Sequence, residues 1–190
     1  MNLKPNIFIF SAPSGAGKTT IVKAILKNNP NLQFSISATT RPIRTNETNG
    51  KDYYFLSIED FKNKITTNEL LEWQEVYPDR FYGTLKSEIE RITNNNHYPI
   101  FDVDVKGGIN LKKLFGNQSL SFFIQPPSIE ILQQRLIARG TDSQADIKQR
   151  IAKATYELTF ANQFDKIIIN DDLNKAILEV ENYINLAISK

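Results

Sequence analysis

The chain has no cysteine and a single histidine, His97. The first absence excludes disulfides and thiolate metal sites, and the second excludes a histidine-based metal cluster. His97 itself, in Asn94-Asn-Asn-His97, reads as a surface residue. No run is long and apolar enough to span a bilayer, and Met1-Asn-Leu-Lys-Pro5 lacks the apolar core of a secretory signal. A soluble, cytoplasmic chain is the expectation. Charge of one sign is also missing. The 23 Lys and Arg against 21 Asp and Glu leave a net +2, too small to recruit nucleic acid or an anionic membrane as a main partner. Any anion must therefore be held by a local cluster. What is present suits one domain of ordinary size: 190 residues, 41% of them hydrophobic, enough for a core with room for an insertion.

The most informative stretch is Ser11-Ala-Pro-Ser-Gly-Ala-Gly-Lys18-Thr19-Thr20, directly after the apolar run Ile7-Phe8-Ile9-Phe10. A strand, a glycine-rich turn and a helical pattern (Ile21, Val22, Ile25) follow one another, the setting a phosphate-binding loop requires. Glycines let backbone N–H groups converge on a phosphate, and the helix that starts there directs its positive end at the anion. Lys18 is placed to reach the terminal phosphates, and the Thr19 hydroxyl to ligate Mg²⁺. The strict pattern wants glycine where Ala12 stands; Gly15, Gly17, Lys18 and Thr19 fit it. The expected donor-binding segment is Ala12, Pro13, Ser14, Gly15, Ala16, Gly17, Lys18, Thr19 and Thr20, and its ligand a nucleoside triphosphate.

Beyond the first helix, Leu32 to Ser37 alternates as a strand and residues 39–51 read as a polar loop with a turn at Asn49-Gly50. Tyr53 to Leu56 is strand-like, and Ser57 to Asp60 resembles a capping box opening a helix through Ile65. Leu70 to Val76 and Arg80 to Tyr82 read as two short strands. The second half alternates: strands at Tyr98–Val103, Leu120–Ile124 and Lys166–Ile169, helices at Ser128–Arg139, about Asp146–Phe160 and Leu173–Ile188. Such alternation implies a mostly parallel sheet covered by helices on both faces.

Residues 38–83 are the part unlike the rest. Arg41 and Arg44 lie in a loop beside Ser37, Thr39 and Thr40, with Tyr53 shortly after. Planar arginine forks suit a phosphate monoester; a solvated basic loop is the plain alternative. Glu72 lies among Leu70, Leu71, Trp73 and Val76, where a buried carboxylate needs a partner. It could accept from the N1–H and 2-amino group of guanine, a donor pair adenine lacks, or simply face outward from a strand. Arg135 and Arg139, four apart on one helical face, converge on the polar turn Gly140 to Ser143, and Arg150 enters from the next helix. They are candidates for neutralising phosphate charge, or else ordinary surface charges.

In order and spacing, several stretches together carry more than any one of them. These are Ser37-Ala-Thr-Thr-Arg41-Pro-Ile-Arg44, Asn49-Gly-Lys-Asp-Tyr53-Tyr-Phe55, Glu69-Leu-Leu-Glu72-Trp73, Phe81-Tyr-Gly-Thr84, Asp102-Val-Asp104, Arg139-Gly-Thr-Asp-Ser143 and Asn170-Asp-Asp-Leu173. With the phosphate loop they make the chain resemble a guanylate kinase nearly end to end. The resemblance implies an α/β fold: a P-loop NTPase-type parallel sheet flanked by helices, a small mixed α/β nucleotide-monophosphate-binding insertion, and a mobile lid. It divides the chain into a core (1–37 and 84–190), an insertion (38–83) and a lid (about 138–150), lid and insertion closing toward the loop.

The resemblance also implies residue roles. Arg41, Arg44, Tyr53 and Tyr82 would hold the GMP phosphate; Ser37, Glu72 and Thr84 would read the guanine, with the Gly83 backbone close by. Asp102 and Asp104 would lie near the metal and the acceptor nucleotide, Asp102 reaching the Thr19-bound Mg²⁺ through water, one of the pair being alternatively a loop cap. Lys18, Arg41, Arg135, Arg139 and Arg150 would supply catalytic charge, Arg139 touching ATP, and Asn170 would contact the adenine. The implied reaction is ATP-dependent phosphorylation of GMP, and of dGMP, to the diphosphate in purine nucleotide metabolism, with Mg²⁺ as cofactor, no nucleic-acid or membrane partner, and oligomeric state open. Ala12 falls where the family tolerates residues other than glycine. Val76-Tyr-Pro-Asp-Arg-Phe-Tyr82 is about one residue longer than the family's usual turn. Two other readings compete: a non-enzymatic guanylate-kinase-like interaction module, and a P-loop kinase with a different acceptor.

Overall fold

The structure, a computed structural model, describes residues 6–140 and 143–189. In chain order its elements are β1 (Ile7–Ser11), α1 (Lys18–Asn28), β2 (Leu32–Phe34), β3 (Ser37–Thr39), β4 (Tyr54–Phe55), α2 (Ile58–Thr66), β5 (Leu70–Tyr77), β6 (Arg80–Leu85), α3 (Lys86–Asn94), β7 (Tyr98–Asp102), α4 (Val105–Phe115), β8 (Ser119–Gln125), α5 (Ile129–Arg139), α6 (Gln144–Leu158), β9 (Lys166–Ile169) and α7 (Leu173–Ile188). The expected lid falls partly outside the described residues, at Thr141 and Asp142. The chain forms two compact units: residues 1–30 with 102–190, and residues 31–101.

In the first unit β1, β8 and β9 lie side by side, all parallel. Parallel strands of this kind are buried on both faces, which explains the unbroken apolar runs in β1 and β8. Adjacent residues of β8 show the two coverings. Phe122 stacks on Phe10 at 4.8 Å between ring centroids and meets Tyr183 of α7. Phe123 points the other way, onto Phe164, and joins Val105 of α4 in a separate cluster. Helices therefore cover both faces, and the expected architecture of a parallel sheet flanked by helices holds. The carboxylate of Asp165 ties β8 to the start of β9. It accepts from Ser121 N–H at 2.8 Å, Ser121 Oγ at 2.7 Å and Lys112 Nζ at 2.6 Å. Burial opposes its ionisation, but these donors bring its pKa below the ordinary value.

α4 is absent from the sequence-based expectation, because Gly107 and Gly108 interrupt its pattern. The glycine is a packing requirement: a Cβ on Gly108 would stand 2.2 Å from Ser11 Oγ. α3 was also missed. Its N-cap is Leu85, which supplies no side-chain cap, and its charged stretch Lys86-Ser-Glu-Ile-Glu-Arg hides a single buried stripe.

In the second unit β2 pairs with β7 in parallel. A mixed four-stranded sheet has the order β4-β3-β6-β5, β3 being parallel to β4 and antiparallel to β6. Its core is Ala38, Phe61 of α2, Leu70, Phe81 and Leu85. Ser57 caps α2 by accepting from Asp60 N–H at 2.9 Å, as the sequence suggested. The expected single strand over Leu32 to Ser37 is two strands, broken at Ser35-Ile36. There the Ile36 N–H donates to the Glu88 carboxylate at 2.7 Å instead of a neighbouring strand. Glu88 is 2% exposed and also accepts from Tyr54 and Arg91. His97 is half-buried, with its Nδ1 lacking a hydrogen-bond partner, rather than a surface residue.

Candidate active site

The site residues fall into two groups, one in each unit. In the first unit the chain leaves β1 at Ser11 and turns through a loop that only glycine makes without strain. Gly15 and Gly17 have φ of 93° and 96°. Ala12 and Ala16 are buried, so the departure from glycine at position 12 is a small apolar residue filling the inside of the turn. α1 begins at Lys18 with Gly17 as N-cap and no side-chain cap, which leaves its first N–H groups available to an anion. Pro13 accepts from Ala16 N–H at 3.1 Å inside the loop, while Thr20 is exposed in the first turn.

Asp102 and Asp104 separate by role. The Asp102 carboxylate spans two polar side chains at the end of the loop, with Oδ1 at 2.6 Å from Lys18 Nζ and Oδ2 accepting from Thr19 Oγ1 at 3.2 Å. Lys18 Nζ also donates to the Val103 carbonyl. Asp104 is the N-cap of α4, its Oδ1 accepting from Gly107 N–H at 2.7 Å. Its carbonyl accepts from Ser11 Oγ. The cap alternative thus describes Asp104.

Other cationic and amide groups reach the same loop. Arg150 Nη1 donates to Ser14 Oγ at 2.7 Å, carrying a charge from α6 onto the loop. Asn170, just after β9, donates from Nδ2 to the Ala16 carbonyl at 2.7 Å, and its own carbonyl accepts from Arg135 Nη2 at 2.8 Å. Asn170 and Arg135 therefore brace the back of the loop. Arg139 is exposed in the last turn of α5. Glu157 of α6, which sequence reasoning passed over, is 8% exposed and lies 3.6 Å from Lys153. Burial raises its pKa; Lys153 opposes the rise, Asp104 adds to it and Lys18 opposes it.

In the second unit, cross-strand register builds a polar row. Ser37 of β3 lies opposite Thr84 of β6, and Thr84 lies opposite Glu72 of β5. Thr84 Oγ1 donates to Glu72 Oε1 at 2.8 Å. Residues two apart on a strand share a face and register partners stand side by side, so three polar side chains converge from three strands. Gly83, next to Thr84 on β6, has a packing reason: a Cβ there would lie 2.8 Å from the Glu72 carbonyl oxygen and 3.1 Å from Phe61.

A second cluster surrounds Arg41, which is 7% exposed. Its guanidinium carbon lies 4.8 Å from the Tyr53 ring centroid, and Tyr53 meets Tyr82 edge-on at 6.2 Å. Arg44 is exposed in the same loop. The residue missed here is Glu47, which pairs with Arg41 at 2.5 and 2.6 Å. Hydrogen bonding to Arg41 pulls the Glu47 carboxyl down to about 2. The turn of unusual length is a two-residue connection, Pro78-Asp79, with the extra residue taken up by a bulge between Glu75 and Tyr77.

A family model described as guanylate kinase matches residues 4–187. The chain belongs to the guanylate kinase family. Curated relatives agree. A guanylate kinase of Bacteroides fragilis is 56% identical over 170 residues, covering 90% of this chain and 83% of that protein. One from Porphyromonas gingivalis is 49% identical over 185 residues, covering 97% of this chain and 98% of its own. Among solved structures, the guanylate kinase from Anaplasma phagocytophilum superposes with a TM-score of 0.78 at 26% identity, covering 99% of this chain and 88% of that one. As a member of the guanylate kinase family the chain is an enzyme, a nucleotide-binding transferase of the kinase type. Among the described residues no helix is long and apolar enough to cross a membrane.

Proposed function

We propose that the protein transfers the terminal phosphoryl group of ATP to GMP, and to dGMP, giving ADP and the corresponding diphosphate, in cytoplasmic purine nucleotide metabolism. The observation that carries this reading is the Ser37–Thr84–Glu72 row, a carboxylate with two hydroxyl groups set in register. A carboxylate at that point accepts a pair of hydrogen bonds from the N1–H and 2-amino group of guanine. The Gly83 backbone runs beside it. Arg41, Arg44, Tyr53 and Tyr82 are assigned the acceptor's phosphate, since forked guanidinium donors and phenol hydroxyls match a monoester dianion.

The donor is assigned to residues 12–20, with Lys18 on the terminal phosphates, Asn170 on the adenine side and Arg135, Arg139 and Arg150 offsetting charge as the γ-phosphorus changes partners. An oxygen of the GMP phosphate attacks that phosphorus while its bond to the β-bridging oxygen of ATP breaks in line. Such transfer needs positioning and charge stabilisation rather than covalent help. For Mg²⁺, the Thr19 hydroxyl and Asp102 carboxylate are hard oxygen donors of the right kind. Among the described residues no group of three or more acidic or histidine side chains could cage a metal. That suits an ion held largely by phosphate and water, with Thr19 direct and Asp102 through water; bound there, Mg²⁺ would neutralise phosphate charge. Asp104 supports the same segment from its cap. We assign 38–83 as the acceptor-binding insertion, about 138–150 as the lid, and 1–37 with 84–190 as the core.

The test is ADP release from ATP and Mg²⁺ with each nucleoside monophosphate in turn. Turnover with GMP and dGMP far above AMP and UMP is expected. Comparable efficiency with AMP or UMP would remove the guanine assignment, and folded protein that binds ATP yet transfers to none of them would favour an interaction module.

A further inference from the structure

Glu47 has no part in the reaction as assigned, yet the segment from Arg41 to Arg44 is organised around it. Its Oε2 accepts from Arg41 Nη1 at 2.6 Å and from the Arg44 backbone N–H at 2.9 Å, and its Oε1 accepts from Arg41 Nη2 at 2.5 Å. Its own N–H donates back to the Arg44 carbonyl at 3.0 Å, closing a turn. One carboxylate thus fixes the side chain of one arginine and the backbone of the other. The edge it grips is the end-on fork of the guanidinium, Nη1 with Nη2. The second Nη1 hydrogen goes to the Pro42 carbonyl at 3.0 Å. Of five N–H donors, the side-on pair remains: Nε–H and the other Nη2–H form no hydrogen bond among the described residues.

We propose that Glu47 is a positioning residue for the acceptor's phosphate. It holds the end-on edge of Arg41 so that the side-on edge meets two phosphate oxygens. The inference rests on the assignment of Arg41 to that phosphate. Two further features fit. Arg41 is 7% exposed, and a guanidinium so buried needs a fixed counter-charge. Its guanidinium also lies against two aromatic rings, with centroids of Tyr53 and Phe55 at 4.8 and 5.3 Å from Cζ and 5.8 Å from each other, so the rings support it from one side while the carboxylate holds its edge. The opposite role is a competitor, in which Glu47 occupies Arg41 until the phosphate displaces it. A competitor would be expected to take the donors the phosphate uses; here a complete fork is left over.

The experiment is steady-state kinetics of Glu47→Gln, Arg41→Met and the double variant, with GMP and ATP varied separately and the melting temperature recorded. Positioning predicts that Glu47→Gln raises KM for GMP roughly 10- to 100-fold, the range for losing a charge-assisted hydrogen bond. KM for ATP should change less than about twofold. In the Arg41→Met background the same change should add less than about twofold, because the effect passes through Arg41. A lower KM for GMP in Glu47→Gln would overturn the proposal in favour of the competitor. An unchanged KM, or an equal loss with and without Arg41, would overturn it outright. If Glu47→Gln fails to fold, Glu47→Asp is read by the same criteria. A wild-type chain without GMP turnover, or Arg41→Met with full GMP affinity, would instead overturn the functional assignment beneath it.

Discussion

Thr84 donates a 2.8 Å hydrogen bond to Glu72 from the opposite strand. This bond fixes one carboxylate oxygen of a half-buried side chain and so fixes the direction of its plane. Removing the carboxylate should therefore cost selectivity more than stability. Glu72→Ala is expected to lower kcat/KM for GMP by roughly 10²–10⁴-fold, the equivalent of two charge-assisted hydrogen bonds, while turnover with AMP stays at its low level. Thr84→Val should weaken the same preference by roughly tenfold, through the orientation of Glu72. An acceptor panel run on both variants checks this.

Lys18 is held between Asp102 and the Val103 carbonyl, so its ammonium is already placed at the loop before a triphosphate arrives. Lys18→Ala should reduce kcat on the order of 10²–10³-fold, the scale for losing one preorganised charge donor, with the far-ultraviolet dichroism unchanged. Near-normal turnover of the variant would dismiss the loop as the catalytic phosphate site.

Gly17 is the most demanding backbone position. A Cβ there would lie 2.2 Å from Asn170 Nδ2, and its φ of 96° already disfavours an L residue. Gly17→Ala is expected to lose about 1–2 kcal/mol from backbone strain alone. It should also raise KM for ATP, since Asn170 must leave the Ala16 carbonyl. Denaturant melts and ATP titration separate the two effects.

Two carboxylates predict opposite pH behaviour. Glu157 is raised by burial, so its contribution to stability is full below the ordinary carboxylate value of 4.5 and is lost as pH rises through its folded pKa. Glu157→Gln should therefore melt higher than wild type at about pH 8, with the gap closing toward about pH 4. Glu47 is lowered by Arg41 to about 2, so its contribution is present above 4.5 and is lost between there and about 2. Glu47→Gln should melt lower than wild type at neutral pH, the gap closing on acidification through that window. Calorimetric scans across pH read both signs.

The phosphate loop and the long helices α5, α6 and α7 were legible because their signals are local: glycine spacing, a serine cap, an uninterrupted apolar stripe. Non-local partners hid the rest. Glu88 ends β2 by taking the Ile36 N–H from 52 positions away, so an alternating pattern that looks continuous is cut. Ser11 forces glycine into α4, so a real helix carries a helix-breaker's signature. In the candidate site, Ser37, Glu72 and Thr84 could be named individually, but their register became visible only once β3, β6 and β5 were paired. Asp102 and Asp104 look alike in sequence; they differ because one faces Lys18 and the other starts a helix. Glu47 was overlooked because an acid in a basic loop looks like simple charge balance.

The hairpin of β5 and β6 pairs out of step twice, at Leu71 and at Val76, with both surplus residues on β5. Between those points Glu72 to Glu75 keep one constant register with Phe81 to Thr84. A slip of one residue would turn every side chain of that segment to the opposite face. The outer bulge works as an expansion joint: the hairpin tip can grow or shrink by a residue without passing the change to Thr84 and Glu72. This tip is therefore the place in the sheet to graft a reporter peptide while leaving the Ser37–Thr84–Glu72 row undisturbed.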